Sequence, residues 1–405
     1  MKFYTPEISW HERDPIYTCD FHPVVKNKFA TAGVTGEIRL WEVLEQQIKP
    51  TESTEPKKKL NPHGIEISFI ANLKRHTKSV NIVRWNSEGN LLASAGDEQV
   101  IFIWNENDIK NQKTLDNEEY ENKENWYAFK TFRGHLEDIL DLAWSRDSTT
   151  LISGSIDNSV IVWNVNTGNK IAILKEPKGF VQGVVFDPLG ATYGVLSTDR
   201  CLRIYSNTSN KCIHNISKLQ LPKDNSDLTV NTRLFHDDTM KSFFRRMKFS
   251  SDGNFLFTPS GCLEIEEKCI NTSYIFTRNC YSRPVLYIPH DKPSVAVSVC
   301  PIKFELIKKN DSEENKPDVF NLPYRYVFAI ATEDSVFLYD TQRLTPFAYT
   351  TGIHYSNLSD LSWSNDAKYL MVSSIDGFST FLIFKQDELG KPYEEISQDT
   401  MVSKA

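Results

Sequence analysis

The stretch Gly134-His135-Leu136-Glu137-Asp138, with Ser153 eighteen residues after His135, Asp157 four further on and Trp163-Asn164 at its end, decides the fold. His135 to Trp163 spans 28 residues, and His76 to Trp104 spans 28 as well. Between the two ends lies an anchor aromatic, Trp144, with Leu142 two residues and Ile139 five residues before it. The same three slots recur as Ile16/Cys19/Phe21, Val80/Val83/Trp85, Val181/Val184/Phe186, Phe244/Met247/Phe249 and Leu358/Leu361/Trp363. Each anchor is followed by a turn, such as Asn86-Ser87-Glu88-Gly89 or Ser250-Ser251-Asp252-Gly253. An anchor and the residue two before it share one face of a strand, because side chains alternate with period two.

Working outward, the turn reverses the chain into a second short strand, for example Leu91–Ala93, Leu151–Ser153, Phe255–Thr258 and Tyr369–Ser373. A third strand follows and usually ends in an aromatic: Arg39–Trp41, Phe102–Trp104, Ile161–Trp163, Arg203–Tyr205, Tyr274–Phe276, Phe337–Tyr339 and Thr380–Leu382. Short strands at regular turn spacing predict an all-β chain, and the third-strand set gives seven units. This pattern resembles the WD40 repeat, which implies a seven-bladed β-propeller with a buried His–Ser–Asp–Trp hydrogen-bond chain in each regular blade. In the third unit the matching residues are His135, Ser153, Asp157 and Trp163; in the second, His76 and Trp104. Glu98 replaces the turn Asp in the second unit and Thr35 in the first, and the residue after Trp is Glu42, Asn105 or Asn164. A complete network is therefore expected in the third unit only, with partial versions elsewhere.

Residues 1–390 are expected to form one propeller, with solvated insertions near 45–64, 105–125, 208–235 and 302–322 and a short tail over 391–405. The sixth unit's strands are placed near Val295–Val299, Tyr326–Ala331 and Val336–Tyr339. Each blade covers its neighbour's apolar face, so an open arc would expose two such faces. The segment Phe3–Ile8 is expected to supply the outer strand of the last blade and close the ring.

Composition limits the function. The 405 residues carry 46 Lys and Arg against 53 Asp and Glu, a net charge of −7, which disfavours broad or sequence-specific grip on DNA and is compatible with a basic partner. No apolar run approaches the length of a membrane span, and Met1–Glu7 lacks an apolar signal core, so an intracellular, soluble chain without membrane contact is expected. Seven Cys in scattered positions, with no C-x-x-C pair, predict free thiols; Cys201 and Cys300 read as small core residues. No phosphate loop, nucleophile elbow or H-E-x-x-H motif is present, so no enzyme, metal or cofactor is expected. The run Lys57-Lys58-Lys59 reads as a solvated loop or a nuclear import signal.

Two segments stand apart from repeat needs. Residues 236–249 concentrate Lys241, Phe243, Arg245 and Arg246 before the fifth anchor, and residues 123–139 carry Trp126 out of an acidic insertion. Together with Ile8-Ser9-Trp10-His11, Lys123-Glu124-Asn125-Trp126, Arg133–Asp138, Phe235–Arg246 and Leu322-Pro323-Tyr324-Arg325, they resemble the WD40 middle subunit of chromatin assembly factor 1, from residue 1 to about 390. The resemblance implies a nuclear, non-enzymatic member of a three-subunit histone chaperone that deposits histones H3 and H4 on replicating DNA, with the large and small subunits as partners. A Hir-type propeller of replication-independent deposition, or a generic WD40 adaptor, is the alternative. Family members commonly carry a basic-hydrophobic tail motif for the anti-silencing histone chaperone. Residues 387–405 show none, so either the protein lacks it or the chain is cut short.

Arg245 and Arg246 occupy slots where other units carry Asn81/Ile82, Leu140/Asp141, Gln182/Gly183 and Ser359/Asp360. These slots are expected near the rim. Two readings stand: an intramolecular pair with Asp237 or Asp238, or a basic patch with Lys241 and Phe243 that receives an acidic stretch of the large subunit.

Overall fold

The computed structural model describes residues 1–45, 64–107, 122–222, 229–265, 268–308, 318–343 and 345–394. The Lys57–Lys59 run and the end of the tail lie outside them. Seven four-stranded antiparallel sheets are present. The first blade is Ile16–Phe21, Lys28–Gly33, Glu37–Glu45 and Ile65–Lys74, and the third is Ile139–Trp144, Thr150–Ser155, Val160–Asn164 and Lys170–Leu174. The sixth uses Ser294–Phe304, Arg325–Thr332, Ser335–Asp340 and Ala348–Thr351. In the seventh, Leu358–Trp363, Tyr369–Ser374 and Ser379–Ile383 are completed by Lys2–Tyr4, with Phe3 opposite Leu382. The N-terminus closes the ring.

In the first, second, third, fourth and seventh blades the anchor, and the slots two and five residues before it, lie on the innermost strand; in the fifth that strand, Lys248–Phe249, holds only the anchor. Five is an odd number, so plain alternation would turn the earliest slot to the opposite face. The inner strands correct this with a one-residue bulge. Pairing skips a residue between Ile16 and Thr18, Val80 and Ile82, Ile139 and Asp141, Val181 and Gly183, Ser294 and Ala296, and Leu358 and Asp360. Past the bulge all three apolar slots face the same way and are buried, Trp144 alone being half-buried among them; Ile16, Cys19 and Phe21 are at most 5% exposed.

The apolar material forms seven clusters, each shared by two neighbouring blades. One joins Phe21, Phe29 and Trp41 of the first blade to Tyr369, Met371 and Phe381 of the seventh, so the seam is packed like the other joints. Burying such faces stabilises by about 25 cal/mol per Å² of apolar surface.

The insertion placed at 208–235 is not a solvated loop. Cys212–Ile216 is the fourth blade's outer strand, Lys218–Pro222 pairs with Thr229–Arg233 as an extra hairpin, and Leu234 and Phe235 are fully buried. The polar-apolar alternation of Lys218-Leu219-Gln220-Leu221 is the local signal for that hairpin.

Candidate interaction site

In several blades a hydrogen-bond joint fastens the entering loop and positions the loops around it. In the third blade His135 Nδ1 lies 3.0 Å from Asp157 Oδ2 and Nε2 lies 2.7 Å from Ser153 Oγ, while Trp163 Nε1 donates to Ser153 Oγ at 2.9 Å. A carboxylate only accepts, so the ring proton is on Nδ1 and Ser153 donates to Nε2. Burial pushes the Asp157 carboxyl up, but hydrogen bonds from His135, Ser159 and the Leu136 amide outweigh it and hold the group below the usual carboxylate range.

The expectation of a complete network in the third blade alone is overturned. In the second blade His76 stands 2.6 Å from Glu98 Oε1 and 2.7 Å from Ser94 Oγ, and Trp104 Nε1 donates to Ser94 at 2.8 Å. Glu98 reaches the imidazole from the same turn position with one more methylene. The first blade has a complete chain as well, through His11, which spacing missed: His11 Nε2 to Thr31 Oγ1 is 2.9 Å, Nδ1 to Thr35 Oγ1 is 3.1 Å, and Trp41 Nε1 donates to Thr31 at 2.8 Å. His11 to Trp41 is 30 residues rather than 28, so a fixed-spacing search passes over it. In the seventh, His354 sits 3.0 Å from Asp376 and 3.0 Å from Thr380 Oγ1, whose hydroxyl is 2.6 Å from that of Thr5. The closing segment is thereby tied into the last joint.

The segment 236–249 is placed differently from expectation. Arg245 and Arg246 are 0% and 3% exposed, so neither forms a rim patch. The intramolecular reading is corrected in its partner too. Arg245 donates to the main-chain carbonyls of His236 and Asp237, while the Asp237 carboxylate pairs with Arg200. Gly183 admits this approach, since a Cβ there would stand 2.0 Å from the Arg245 carbonyl oxygen. Arg246 turns into the central channel. It lies 3.0 Å from Asp360, donates to the carbonyls of Tyr17 (2.9 Å) and Asn81 (3.0 Å), and covers the Phe244 ring at 4.5 Å. One guanidinium thus joins the fifth blade to the seventh, first and second.

Asp360 is the centre of this knot. It also accepts from Arg84 Nη1 at 2.9 Å, Thr18 Oγ1 at 2.9 Å and the Cys19 amide at 3.2 Å. Burial pushes its carboxyl up, yet Arg246 and Arg84 outweigh burial and hold it down. For Asp20 and Asp141, burial wins and the carboxyls are raised. On the turn side of the knot the channel widens into a cavity of about 620 Å³ between the inner strands.

Lys241 and Phe243 remain at the surface, Phe243 at 69% exposure. Trp126 is half-buried and used in packing. Its ring meets Trp85 edge-on at 5.5 Å, its Nε1 donates to Glu124 at 2.9 Å, and the Glu124–Lys28 pair (2.6 Å) sets the Lys28 ammonium 5.2 Å from its ring. The expectation of free thiols fails for two cysteines: Cys262 and Cys269 are bonded across the hairpin of the fifth blade, 7 residues apart. Cys19 and Cys300 are free and buried, and Cys201, Cys212 and Cys280 are free and half-buried.

A closed ring of seven blades with rigid joints and a plugged axis defines a β-propeller scaffold whose loops are its working surface. The family model described as the CAF1B/HIR1 β-propeller domain matches residues 1–389, and the chain belongs to that family. It is 45% identical to a chromatin assembly factor 1 subunit of Mus musculus, over 98% of this chain and 69% of that protein. Against the same subunit of Gallus gallus it is 43% identical, over 98% of this chain and 70% of that protein. Protein HIR1 of Kluyveromyces lactis is 26% identical, over 94% of this chain and 42% of that protein.

Proposed function

We propose that the chain is a non-catalytic scaffold subunit of a nuclear histone chaperone complex, docked on the large subunit of chromatin assembly factor 1 in company with the small one. In that complex it helps to deposit histones H3 and H4 on newly replicated DNA. The observation that carries this reading is the 45% identity, over nearly the whole chain, to a subunit of chromatin assembly factor 1. The lower identity to a HIR1 protein, 26%, favours it over a Hir-type role.

The contact is assigned to the exposed part of the 236–249 segment. Phe243 in the fifth blade and Phe180 in the fourth occupy the same slot, six residues before their anchors, and are 69% and 42% exposed. Lys241, two residues before Phe243, is a cation exposed to solvent. Exposed phenyl rings on adjoining blades, with an exposed cation in the same segment as one of them, suit an apolar segment with flanking acids. The test is reconstitution with the large and small subunits, followed by H3–H4 deposition on replicated and unreplicated plasmid. In parallel, Lys241→Glu/Phe243→Ala is melted and co-purified with the large subunit at two salt concentrations. An unchanged melt with weakened capture supports this surface, and unchanged capture places the contact elsewhere. Assembly that ignores replication, or a complex that excludes the large subunit, overturns the reading.

A further inference from the structure

We propose that His236, Cys262 and Cys269 form a metal site on the fifth blade that holds a zinc(II) ion when the two cysteines are reduced. Cys262 lies on Phe255–Ile265 and Cys269 on Lys268–Thr277, the paired strands of an extended hairpin. His236 comes from the segment that runs alongside: Phe235 bridges Gly261, the His236 amide donates to the Ser260 carbonyl at 3.0 Å, and the Cys262 amide donates to the Leu234 carbonyl at 2.8 Å. One ligand atom from each of the three residues lies within 4.8 Å of the others.

The surroundings hold the imidazole in a coordinating state. Nε2 donates to Asn271 Oδ1 at 2.9 Å, which leaves Nδ1 as the basic nitrogen. The His236 carbonyl accepts from the buried Arg245 at 2.5 Å, so the main chain that carries the ligand is anchored. Arg245, unused at the surface, acquires a positioning role. Cys262 is buried and Cys269 exposed, so the site has an inner wall and an open side.

The donor set selects the ion. Two thiolates and one imidazole suit zinc(II), tetrahedral with a water in the fourth position, and disfavour magnesium or calcium, which take oxygen ligands. Binding replaces two S–H bonds by two Zn–S bonds and releases two protons, with no change of oxidation state. The bonded sulfurs of Cys262 and Cys269 are the alternative state of the same pair. A thiol reductant opens that bond by supplying two electrons and two protons, itself becoming a disulfide. Metal and disulfide therefore exclude each other at this hairpin. The six residues between the cysteines exceed the two to four of common zinc spacings, and His236 precedes Cys262 by 26 positions, so no spacing motif marks the site.

The full chain, reduced with a phosphine and desalted without oxygen, is titrated with cobalt(II) and then zinc(II). The expected result is one cobalt per chain, with thiolate charge-transfer absorption in the near ultraviolet and tetrahedral bands in the red, both erased by zinc. Cys269→Ser, at an exposed position, should lose the charge-transfer band while melting like the parent. Cys262→Ser should lose it as well. His236→Gln should bind at least about tenfold more weakly, the least that even an outer-shell partner costs. Cys212→Ser should change nothing. The proposal is overturned by absence of the band, by its survival in Cys269→Ser, or by re-formation of the disulfide at the same rate with zinc as without it.

Discussion

The third and fifth blades solve one mechanical problem in different ways. In the third, the loop leading into the blade is pinned by an imidazole held between Asp157 and Ser153, all within that blade. In the fifth, Met240 stands where the third blade has its His, nine residues before the anchor. The chain there is fixed by Arg245 on main-chain carbonyls and by Arg246, whose partners belong to three other blades. The fourth blade lies between these designs. Asp199 keeps the turn position and accepts the Lys178 amide at 2.9 Å, but pairs with Arg203 at 2.6 Å in place of an imidazole. A network confined to one blade can be lost one blade at a time, whereas an ionic knot shared by four blades stabilises the ring as a unit.

That contrast is broken most severely at Asp360. Asp360→Ala leaves the buried Arg246 and the half-buried Arg84 without their shared carboxylate, and removing one partner of a buried pair costs about 3–5 kcal/mol. The measurement is denaturant unfolding, and a cost no larger than that of a single network residue would show that the knot is not the stronger device. Deleting residues 1–5 comes next. It removes the strand paired with Ser379–Ile383 and the Thr5 hydroxyl from the Thr380 joint, and leaves an open edge. A lower melting temperature with concentration-dependent self-association is expected, and an unchanged monomeric melt would mean the seam holds without it.

Within the networks the effects are smaller. Asp157→Ala should cost about 1–3 kcal/mol, because His135 and the Leu136 amide lose their acceptor in a largely buried site. Glu98→Ala should fall in the same range, since His76 and the Thr77 amide depend on it equally. Asp147→Ala, in an exposed turn, should stay within about 0.5 kcal/mol. Equal losses at Asp147 and Asp157 would remove the distinction between joint and turn.

Seven units, their inner-strand slots and the closing N-terminus were legible because apolar periodicity reports directly on faces buried between neighbours. The knot was not, although two of its members were in view: Arg246 and Asp360 occupy the same slot of two units. Equivalent slots of distant units meet only at the ring's axis, and the bulge that turns this slot inward leaves no compositional trace. His11 was missed through two one-residue shifts in the first unit. The alternation Lys218-Leu219-Gln220-Leu221 that marks the extra hairpin lies outside the repeated slots, so a search for repeats passes over it. His236, Cys262 and Cys269 are brought together by a β-bridge between segments that no local pattern links.

The smallest effect separates the networks from one another by pH. Burial, reinforced by the nearby Arg39, pulls the His11 imidazole down to about 3 from an ordinary 6.5, with Glu37 and the Thr31 contact opposing only in part. The unfolded chain therefore binds a proton at His11 that the folded chain refuses between those values. Stability rises with pH wherever the unfolded state holds more protons, so it must fall as pH drops below 6.5, levelling off only near 3. From pH 7 to pH 6 this one group contributes a loss of about 0.7 kcal/mol, approaching about 1.4 kcal/mol per unit further down. His22 and His290, each lowered to about 4 chiefly by burial, add slopes of the same sign. His11→Gln keeps a side chain able to hydrogen-bond Thr31 and abolishes only the His11 share. Denaturant unfolding of parent and variant at pH 7 and pH 6 should give a variant whose pH loss is smaller by that amount. Equal losses would mean that His11 takes up its proton inside the folded blade, and the first joint would then be ionic like the knot.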